Sequence, residues 1–313
     1  MCGGSEVIEL AAADDIRKES ELLWAFHMRR LAPNTPPERL VDRVAFSQAP
    51  PWRVVQCGTC GLVYRNPVER REELRETYAD AEPPRDALLA LHAAQRASYR
   101  AQAKRLARHL SRRGTGLEVG SYVGAFLAAA RDTRWQFEGL DVNRRVNAFA
   151  RSLGFVVHDG DLEHFRPDRT FDAVAIWNTF DQLPDPRAAV RSAGRLLRNE
   201  GVLAIRVPNG ECYARWRPRL DAGAPARALA VSILAHNNLL TFPYRYGFSP
   251  RSLSRLLTEM GFTIQQIAGD VLVPTADEWT KRWAVVEERA VRPITRRWMP
   301  WFEVYATKTD PRH

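Results

Sequence analysis

The sequence is poor in cysteine and lysine and has no long apolar run. Four cysteines in 313 residues are too few for a disulfide framework, so we expect a reducing compartment, the cytoplasm. No stretch reaches the roughly 18–20 consecutive apolar residues of a membrane-spanning helix, and the chain does not begin with a basic segment followed by an apolar one. We therefore expect neither secretion nor a membrane partner.

Only four of the 46 basic residues are lysine, and the formal net charge is +9. An arginine excess beside abundant alanine is typical of genome-wide codon bias, which is the interpretation we favour. The alternative is a surface that binds polyanions, for which residues 96–113 are the strongest candidate. Basic residues recur there every four positions from Arg96 to Arg112, as on the solvated face of a helix.

The length allows one large domain or a core domain with appendages. Apolar runs alternate with helical patterns over residues 85–210, which indicates a parallel sheet with crossover helices and a ligand site beyond the carboxyl ends of its strands. We predict an α/β fold in which residues 1–84 form an N-terminal helical and cysteine-containing region and residues 211–313 complete the sheet. After Asn209 the prediction is an irregular Arg/Pro/Ala-rich segment, then a helix near 249–260.

Two glycines and three acids stand at the predicted strand ends. Gly120 and Gly124 follow the first strand, where glycine lets the backbone approach a ligand closely. Asp141 ends the next strand, 21 positions after Gly120, where a carboxylate can accept two hydrogen bonds from a ribose diol. Asp161 follows the third strand, where a carboxylate can face the exocyclic amine of an adenine. Together with Glu118 these residues predict an adenosine site.

Two adenosine ligands compete for this site, a dinucleotide and S-adenosylmethionine. The dinucleotide fingerprint is G-x-G-x-x-G, with a pyrophosphate at the helix N-terminus. Here the spacing is Gly120-x-x-x-Gly124, and the Glu118 carboxylate at the strand end is unfavourable beside a pyrophosphate. A carboxylate suits a ligand that carries an ammonium and a sulfonium.

With these residues the sequence resembles the class I S-adenosylmethionine-dependent methyltransferases. The resemblance covers residues 100–210, through the glycine-rich motif and the stretches 171–186 and 196–209. It implies a Rossmann-like fold, with a mostly parallel seven-stranded sheet and helices on both faces, and methyl transfer from S-adenosylmethionine. Tyr122 stands where many members have glycine, which narrows the predicted pocket. The resemblance assigns these residues to the cofactor: Glu118, Gly120, Ser121, Tyr122, Gly124, Asp141, Val142, Asp161, Leu162, Trp177 and Asn178.

The acceptor side departs from the family pattern. Asp181-Gln182 stands where many members have Glu-His, and the Gln182 amide cannot accept a proton as a base. The segment with His236, Tyr244 and Tyr246 is similar to a stretch that carries acceptor-side residues in such enzymes. We predict His236 as a general base, with Tyr244 and Tyr246 as further catalytic candidates. The alternative is that His236 lies in a polar loop without a catalytic role, with its hydrogen bonds satisfied or its side chain exposed.

Cys57 and Cys60 are separated by two residues, a spacing that places two thiolates on one tetrahedral metal ion. Their segment resembles the N-terminal zinc-binding part of certain methyltransferases, including sugar C-methyltransferases, in which another cysteine pair comes first. Cys2 matches the second member of that pair, and the first would precede Met1. The resemblance therefore implies zinc held by Cys2, Cys57 and Cys60, and the alternative is a metal site that is incomplete or lost.

The leading hypothesis is a methyltransferase that acts on a small molecule, such as a sugar or a biosynthetic intermediate. An RNA-modifying methyltransferase is the alternative that the net charge and the cysteine segment suggest. A third hypothesis is a non-catalytic protein that binds S-adenosylmethionine. A nicotinamide-dependent dehydrogenase is the least favoured reading of the glycine-rich turn.

Overall fold

The computed structural model describes residues 2–35, 51–68, 83–110, 114–133, 135–237, 239–240, 244–269, 271 and 279–309. In chain order the elements are β1 (Val7–Ala11), α1 (Ala13–Met28), β2 (Arg53–Cys57), β3 (Val63–Asn66), α2 (Arg85–Arg108), β4 (Thr115–Val119), α3 (Ala125–Arg131), β5 (Gln136–Asp141), α4 (Arg144–Ser152), β6 (Val157–Asp159), β7 (Phe171–Trp177), a 3-10 turn (Phe180–Gln182), α5 (Pro186–Leu196), β8 (Leu197–Pro208), α6 (Gly210–Trp216), a second 3-10 turn (Arg217–Asp221), α7 (Ala224–Asn237), β9 (Tyr246–Gly247), α8 (Pro250–Glu259), β10 (Phe262–Ala268), α9 (Arg282–Trp298) and β11 (Trp301–Lys308).

Backbone contacts divide the chain into two units. The first unit comprises Met1–Val68, Val207–Leu253 and Ala268–Phe302, and the second comprises Glu69–Arg206, Ser254–Ile267 and Glu303–His313. The domain boundaries predicted at residues 84 and 210 stay a proposal. Among the described helices, none combines the length and the hydrophobicity that crossing a bilayer requires.

The first unit contains a four-stranded sheet in the order β1-β2-β3-β9. Neighbouring strands are antiparallel, and Gln56 pairs with Val63 across the β2–β3 hairpin. Ile16, Leu23 and Phe26 recur at helical spacing on α1 and are buried in the core of this unit.

The prediction of an irregular segment after Asn209 is wrong. Residues 210–216 and 224–237 are helical, and Ile233 and Leu234 of α7 are buried in the core of the first unit. Alanine has the highest intrinsic helix propensity, and Pro225 lies in the first turn of α7, where its missing N–H breaks no intrahelical hydrogen bond. The proline content therefore hid a helix built on alanine.

The second unit is built on the seven-stranded, mostly parallel sheet, in the order β10-β11-β8-β7-β4-β5-β6. This arrangement confirms the predicted fold class. β4 pairs in parallel with β5 on one side and with β7 on the other, and all seven residues of β7 are buried. The strand order thus reverses beside β4, so a ligand is expected at the carboxyl ends of β4, β5 and β7.

Candidate functional site

The turn after β4 adopts a conformation that requires glycine. Gly120 and Gly124 have φ values of 74° and 69°, and Gly124 is the N-cap residue of α3. The Gly120 N–H donates to the Leu140 carbonyl at 2.8 Å, which ties the turn to β5. A Cβ atom on Gly120 would lie 2.2 Å from Thr179 Oγ1. The turn therefore runs directly against the residues that follow β7.

Two carboxylates lie side by side at this turn. Glu118 is 2% exposed, and its Oε2 has no hydrogen-bond partner in the described part of the chain. Asp141 accepts hydrogen bonds from the backbone N–H groups of Tyr122 at 3.0 Å and Asn143 at 2.9 Å. Burial raises the pKa of both carboxyl groups, and the charge of Asp141 raises the pKa of Glu118 further, to well above its usual value.

This pair fits a cationic ligand. Both carboxyl groups are buried with raised pKa values, and the charge of Asp141 contributes to the raised pKa of Glu118. An ammonium or sulfonium beside them would favour their ionised forms. The Oε2 atom of Glu118 is a buried acceptor in need of a donor. Glu118 and Asp141 therefore match the chemistry of S-adenosylmethionine and oppose that of a pyrophosphate.

The third predicted acid follows β6. The Gly160 N–H donates to the Asp141 carbonyl at 3.0 Å, which brings the residues after β6 to the end of β5. Asp161 Oδ1 accepts a hydrogen bond from the His164 N–H at 3.0 Å and lies 2.7 Å from His164 Nδ1. Leu162 is buried at 3% exposure. Asp161 thus closes a short turn in the structure, and its contact with adenine stays a prediction.

The predicted residues at the end of β7 differ in burial. Trp177 is 2% exposed and packs against Phe126 of α3, with ring centroids 5.3 Å apart, so it forms part of the core behind the site. Asn178 is only half-buried and has φ of +56°, a left-handed conformation that residues other than glycine seldom adopt.

Two residues that the sequence reasoning missed contact Asn178. Arg206 of β8 donates from Nη1 to Asn178 Oδ1, and Asn178 Nδ2 donates to the Tyr99 hydroxyl oxygen at 3.3 Å. Arg206 is a single cation in the apolar run 202–207, and this is a signal that a closer reading of the sequence could have used. Tyr99 lies 79 residues before Asn178, on a helix that precedes the glycine-rich motif, and no local pattern singles it out.

The predicted catalytic residues lie in the first unit. His236 is 5% exposed, with Nδ1 2.7 Å from the Ser232 carbonyl, and its Nε2 has no partner among the described residues. The carbonyl can only accept, so Nδ1 carries the proton, and burial lowers the pKa of the imidazole. His236 and Tyr244 meet at Trp301, whose indole N–H donates to the His236 carbonyl at 2.7 Å and whose ring lies 5.6 Å from that of Tyr244. Tyr246 pairs with Tyr64 between β9 and β3.

The three predicted metal ligands also meet in the first unit. The Sγ atoms of Cys2, Cys57 and Cys60 all lie within 4.8 Å of one another, and those of Cys2 and Cys57 are 3.5 Å apart. The backbone N–H groups of Cys60 and Thr59 lower the pKa of Cys57 to about 7, which favours the thiolate that a metal ion requires. This donor set of three sulfur atoms suits zinc.

Comparison with known proteins agrees with this geometry. A family model described as a methyltransferase domain matches residues 91–267, whereas no curated protein matches the chain. A chain from the complex between the Haloferax volcanii Trm112 methyltransferase activator and a methyltransferase is 18% identical, with a TM-score of 0.52 over 77% of this chain and 100% of that one. An S-adenosylmethionine-dependent methyltransferase from Thermotoga maritima is 19% identical, with a TM-score of 0.46 over 72% of this chain and 94% of that one. The CcbJ methyltransferase from Streptomyces caelestis is 14% identical, with a TM-score of 0.47 over 68% of this chain and 90% of that one.

The family match spans more than half of the 313 residues and contains the whole glycine-rich turn. It also contains both carboxylates that fit a cationic ligand, Glu118 and Asp141. The chain therefore belongs to the methyltransferase-domain family and is an S-adenosylmethionine-dependent methyltransferase.

Proposed function

We propose that this enzyme methylates a small-molecule acceptor, such as a sugar or another biosynthetic intermediate. The observation that carries this choice over RNA is that two of the basic residues on α2, Arg96 and Arg105, are paired with carboxylates. Arg96 donates to the Asp132 carboxylate at 2.9 Å, and Arg105 binds the buried Glu303 through two hydrogen bonds of 2.7 and 3.0 Å. Cations that are already neutralised release few counterions from a nucleic acid and add little to its binding.

In this proposal the cofactor residues bind and orient rather than react. The bound cofactor supplies a methyl group on a sulfonium, which is already an activated donor. Glu118 holds the positive charge of the cofactor, Asp141 accepts from the ribose hydroxyls, and the backbone of the glycine-rich turn lies along the methionine part. Positioning of this kind accounts for much of the rate enhancement when the leaving group needs no further activation.

His236 remains the proposed general base, with Tyr244 and Tyr246 as further catalytic candidates. Its Nδ1 proton is held by the Ser232 carbonyl, so Nε2 is the atom that takes a proton. The pKa lowered by burial keeps the imidazole neutral at physiological pH, which is the form that a base requires.

The test combines binding with turnover. Isothermal titration of the full chain with S-adenosylhomocysteine is expected to show one site, and tritium from labelled S-adenosylmethionine is expected to pass to a member of a panel of sugars and biosynthetic intermediates. Bulk tRNA is the comparison acceptor. Labelling of tRNA alone, with affinity that falls steeply with salt, would favour the RNA hypothesis. Binding without transfer to any acceptor would favour the non-catalytic one.

We also propose that zinc binds Cys2, Cys57 and Cys60. The proximity of their three Sγ atoms supports this ligand set. A site of this kind joins the N-terminal residues to the β2–β3 hairpin, so its role in this proposal is to stabilise the first unit.

A further inference from the structure

The second unit has a pocket of about 510 Å³ at the amino end of β7. It is lined by Phe165, Arg166, Pro167, Asp168, Arg169, Thr170, Arg195 and Leu196. Residues 165–170 directly precede β7, and residues 195 and 196 end α5. Because β4 and β7 are parallel, the pocket lies at the edge of the sheet opposite the glycine-rich turn. Its volume falls within the range of small-molecule sites.

Two arginine side chains of the lining converge on one backbone oxygen. Arg166 Nη1 donates to the Glu163 carbonyl at 2.6 Å and to the Phe165 carbonyl at 2.9 Å. Arg195 Nη2 donates to the same Glu163 carbonyl at 3.5 Å and to Ser192 Oγ at 3.3 Å. Partial burial and the charge of Arg166 lower the pKa of Arg195, so the two positive charges repel each other.

No carboxylate of the described residues forms an ion pair with Arg166 or Arg195. Their hydrogen bonds within the described part of the chain use one nitrogen of each guanidinium, Nη1 of Arg166 and Nη2 of Arg195. A guanidinium has five N–H donors, so both side chains have donors left for a ligand, and both are exposed to it. Arg169 differs, because its guanidinium binds the Glu138 carboxylate.

We infer that this pocket binds the phosphate group of a small molecule through Arg166 and Arg195. A phosphate carries about two negative charges and several acceptor oxygens, and guanidinium groups bind it through paired hydrogen bonds. The Asp168 carboxylate lines the same pocket and opposes the anion by like-charge repulsion. A concave pocket of this size suits a small ligand better than a nucleic acid, whose backbone follows an extended basic groove. The inference does not depend on the methyl acceptor proposed above.

The first test is calorimetric titration of the full chain with inorganic phosphate at constant ionic strength, which holds salt screening fixed. We expect Arg166→Ala and Arg195→Ala each to raise the Kd for phosphate by about tenfold. Arg191→Ala is the matched control, since Arg191 is exposed on α5 one turn before Arg195 but does not line the pocket. It removes the same charge and is expected to keep the Kd within about twofold of wild type.

A variant that strengthens binding guards against damage to the fold. Asp168→Asn removes the opposing charge, so we expect it to lower the Kd for phosphate by about threefold. Unfolding cannot produce tighter binding, so this variant decides the question if an alanine variant proves unstable. Titration with S-adenosylhomocysteine monitors folding, and Arg195→Ala is expected to bind it within about twofold of wild type.

Glucose 1-phosphate and glucose distinguish the sources of the phosphate group. Tighter binding of glucose 1-phosphate than of inorganic phosphate would identify a phosphorylated metabolite as the ligand, and equal binding would identify free phosphate. Both results support the site, and glucose alone is expected not to bind there.

Three results would overturn the inference. One is an unchanged affinity for phosphate in Arg166→Ala and Arg195→Ala, or an equal loss in Arg191→Ala. Another is an Asp168→Asn variant that binds phosphate no more tightly than wild type. The third is binding of tRNA that the two pocket variants abolish, in a protein that does not bind inorganic phosphate.

Discussion

At the scale of single residues, Glu118 links stability to function. Its carboxyl group is buried, and its pKa lies well above the usual 4.5 because of burial and the neighbouring Asp141. Between the usual and the raised pKa the folded protein holds a proton that the unfolded chain has lost. The contribution of Glu118 to folding stability is therefore fully present below the usual pKa and is lost as the pH rises through the raised one.

Glu118→Gln is expected to stabilise the ligand-free protein at neutral pH. The amide resembles the neutral carboxylic acid and removes the cost of burying a charge, so thermal unfolding is expected to shift upwards by several degrees. The same change removes an acceptor for the cationic cofactor and is expected to weaken S-adenosylhomocysteine binding by roughly 10- to 100-fold. Calorimetry and titration of the same samples test both effects. A Tm that falls would contradict the assigned burial cost.

The raised carboxyl pKa values also predict the pH dependence of cofactor binding. A cation favours ionised carboxylates, so S-adenosylmethionine binding is expected to release protons and to strengthen as the pH rises through the raised pKa values of Glu118 and Asp141. Titrations in buffers of different ionisation enthalpy measure the proton release. In Glu118→Gln the number of protons released on binding is expected to decrease. An unchanged number would mean that the protons come from other groups.

At the scale of elements, the decisive feature is the turn between β4 and α3. Gly120 and Gly154 both have positive φ, 74° and 82°, but only at Gly120 would a Cβ atom meet a neighbour, Thr179 Oγ1 at 2.2 Å. A Cβ on Gly154 would have nothing within 4 Å. Alanine substitutions at the two glycines therefore separate the cost of the left-handed backbone conformation from the cost of a steric clash.

Gly154→Ala is expected to cost about 1–2 kcal/mol of stability from the left-handed conformation alone, with cofactor binding intact. Gly120→Ala adds a steric clash of about 1–3 kcal/mol and displaces the residues after β7. It is expected to lower S-adenosylhomocysteine affinity at least tenfold. Chemical denaturation and calorimetric titration of both variants check this difference, and equal losses of affinity would contradict a specific role for the turn.

At the scale of the whole molecule, the cysteine cluster joins distant parts of the sequence within the first unit. Cys2 and Cys57 are 55 positions apart, yet their Sγ atoms lie 3.5 Å from each other. If zinc binds only the folded chain, the metal stabilises this unit by mass action. A chelator is then expected to lower the unfolding temperature.

The purified protein is expected to contain one zinc ion per chain by elemental analysis. Cys57→Ser and Cys60→Ser are expected to lose it, because a hydroxyl group is a poor ligand for zinc. Cys212→Ser is the matched control, since Cys212 is buried elsewhere in the first unit and the described cluster does not include it. Equal zinc content in all variants would contradict the proposed ligand set.

Local sequence determined much of this protein. The predicted alternation of apolar runs and helical patterns over residues 85–210 is present as strands β4 to β8 and the helices between them, because apolar runs bounded by turns and helices leave the chain few other ways to bury its hydrophobic side chains. The glycine-rich turn and the acids at the strand ends were also predicted, since strand order in a parallel sheet brings those ends together. The error at α7 arose because Pro225 lies in the first turn, where it does not interrupt a helix that alanine favours.

Only the tertiary structure brought together Tyr99, Asn178 and Arg206, which come from a helix, a strand end and a neighbouring strand. It also decided that Glu118 is buried beside Asp141 with a raised pKa, and that His236 lies on a helix and not in a polar loop. A sequence pattern records which residues share a face of one element. Hydrogen bonds between distant elements and the loss of water around a carboxylate depend on how those elements pack, and these contacts are what give the candidate site its chemistry.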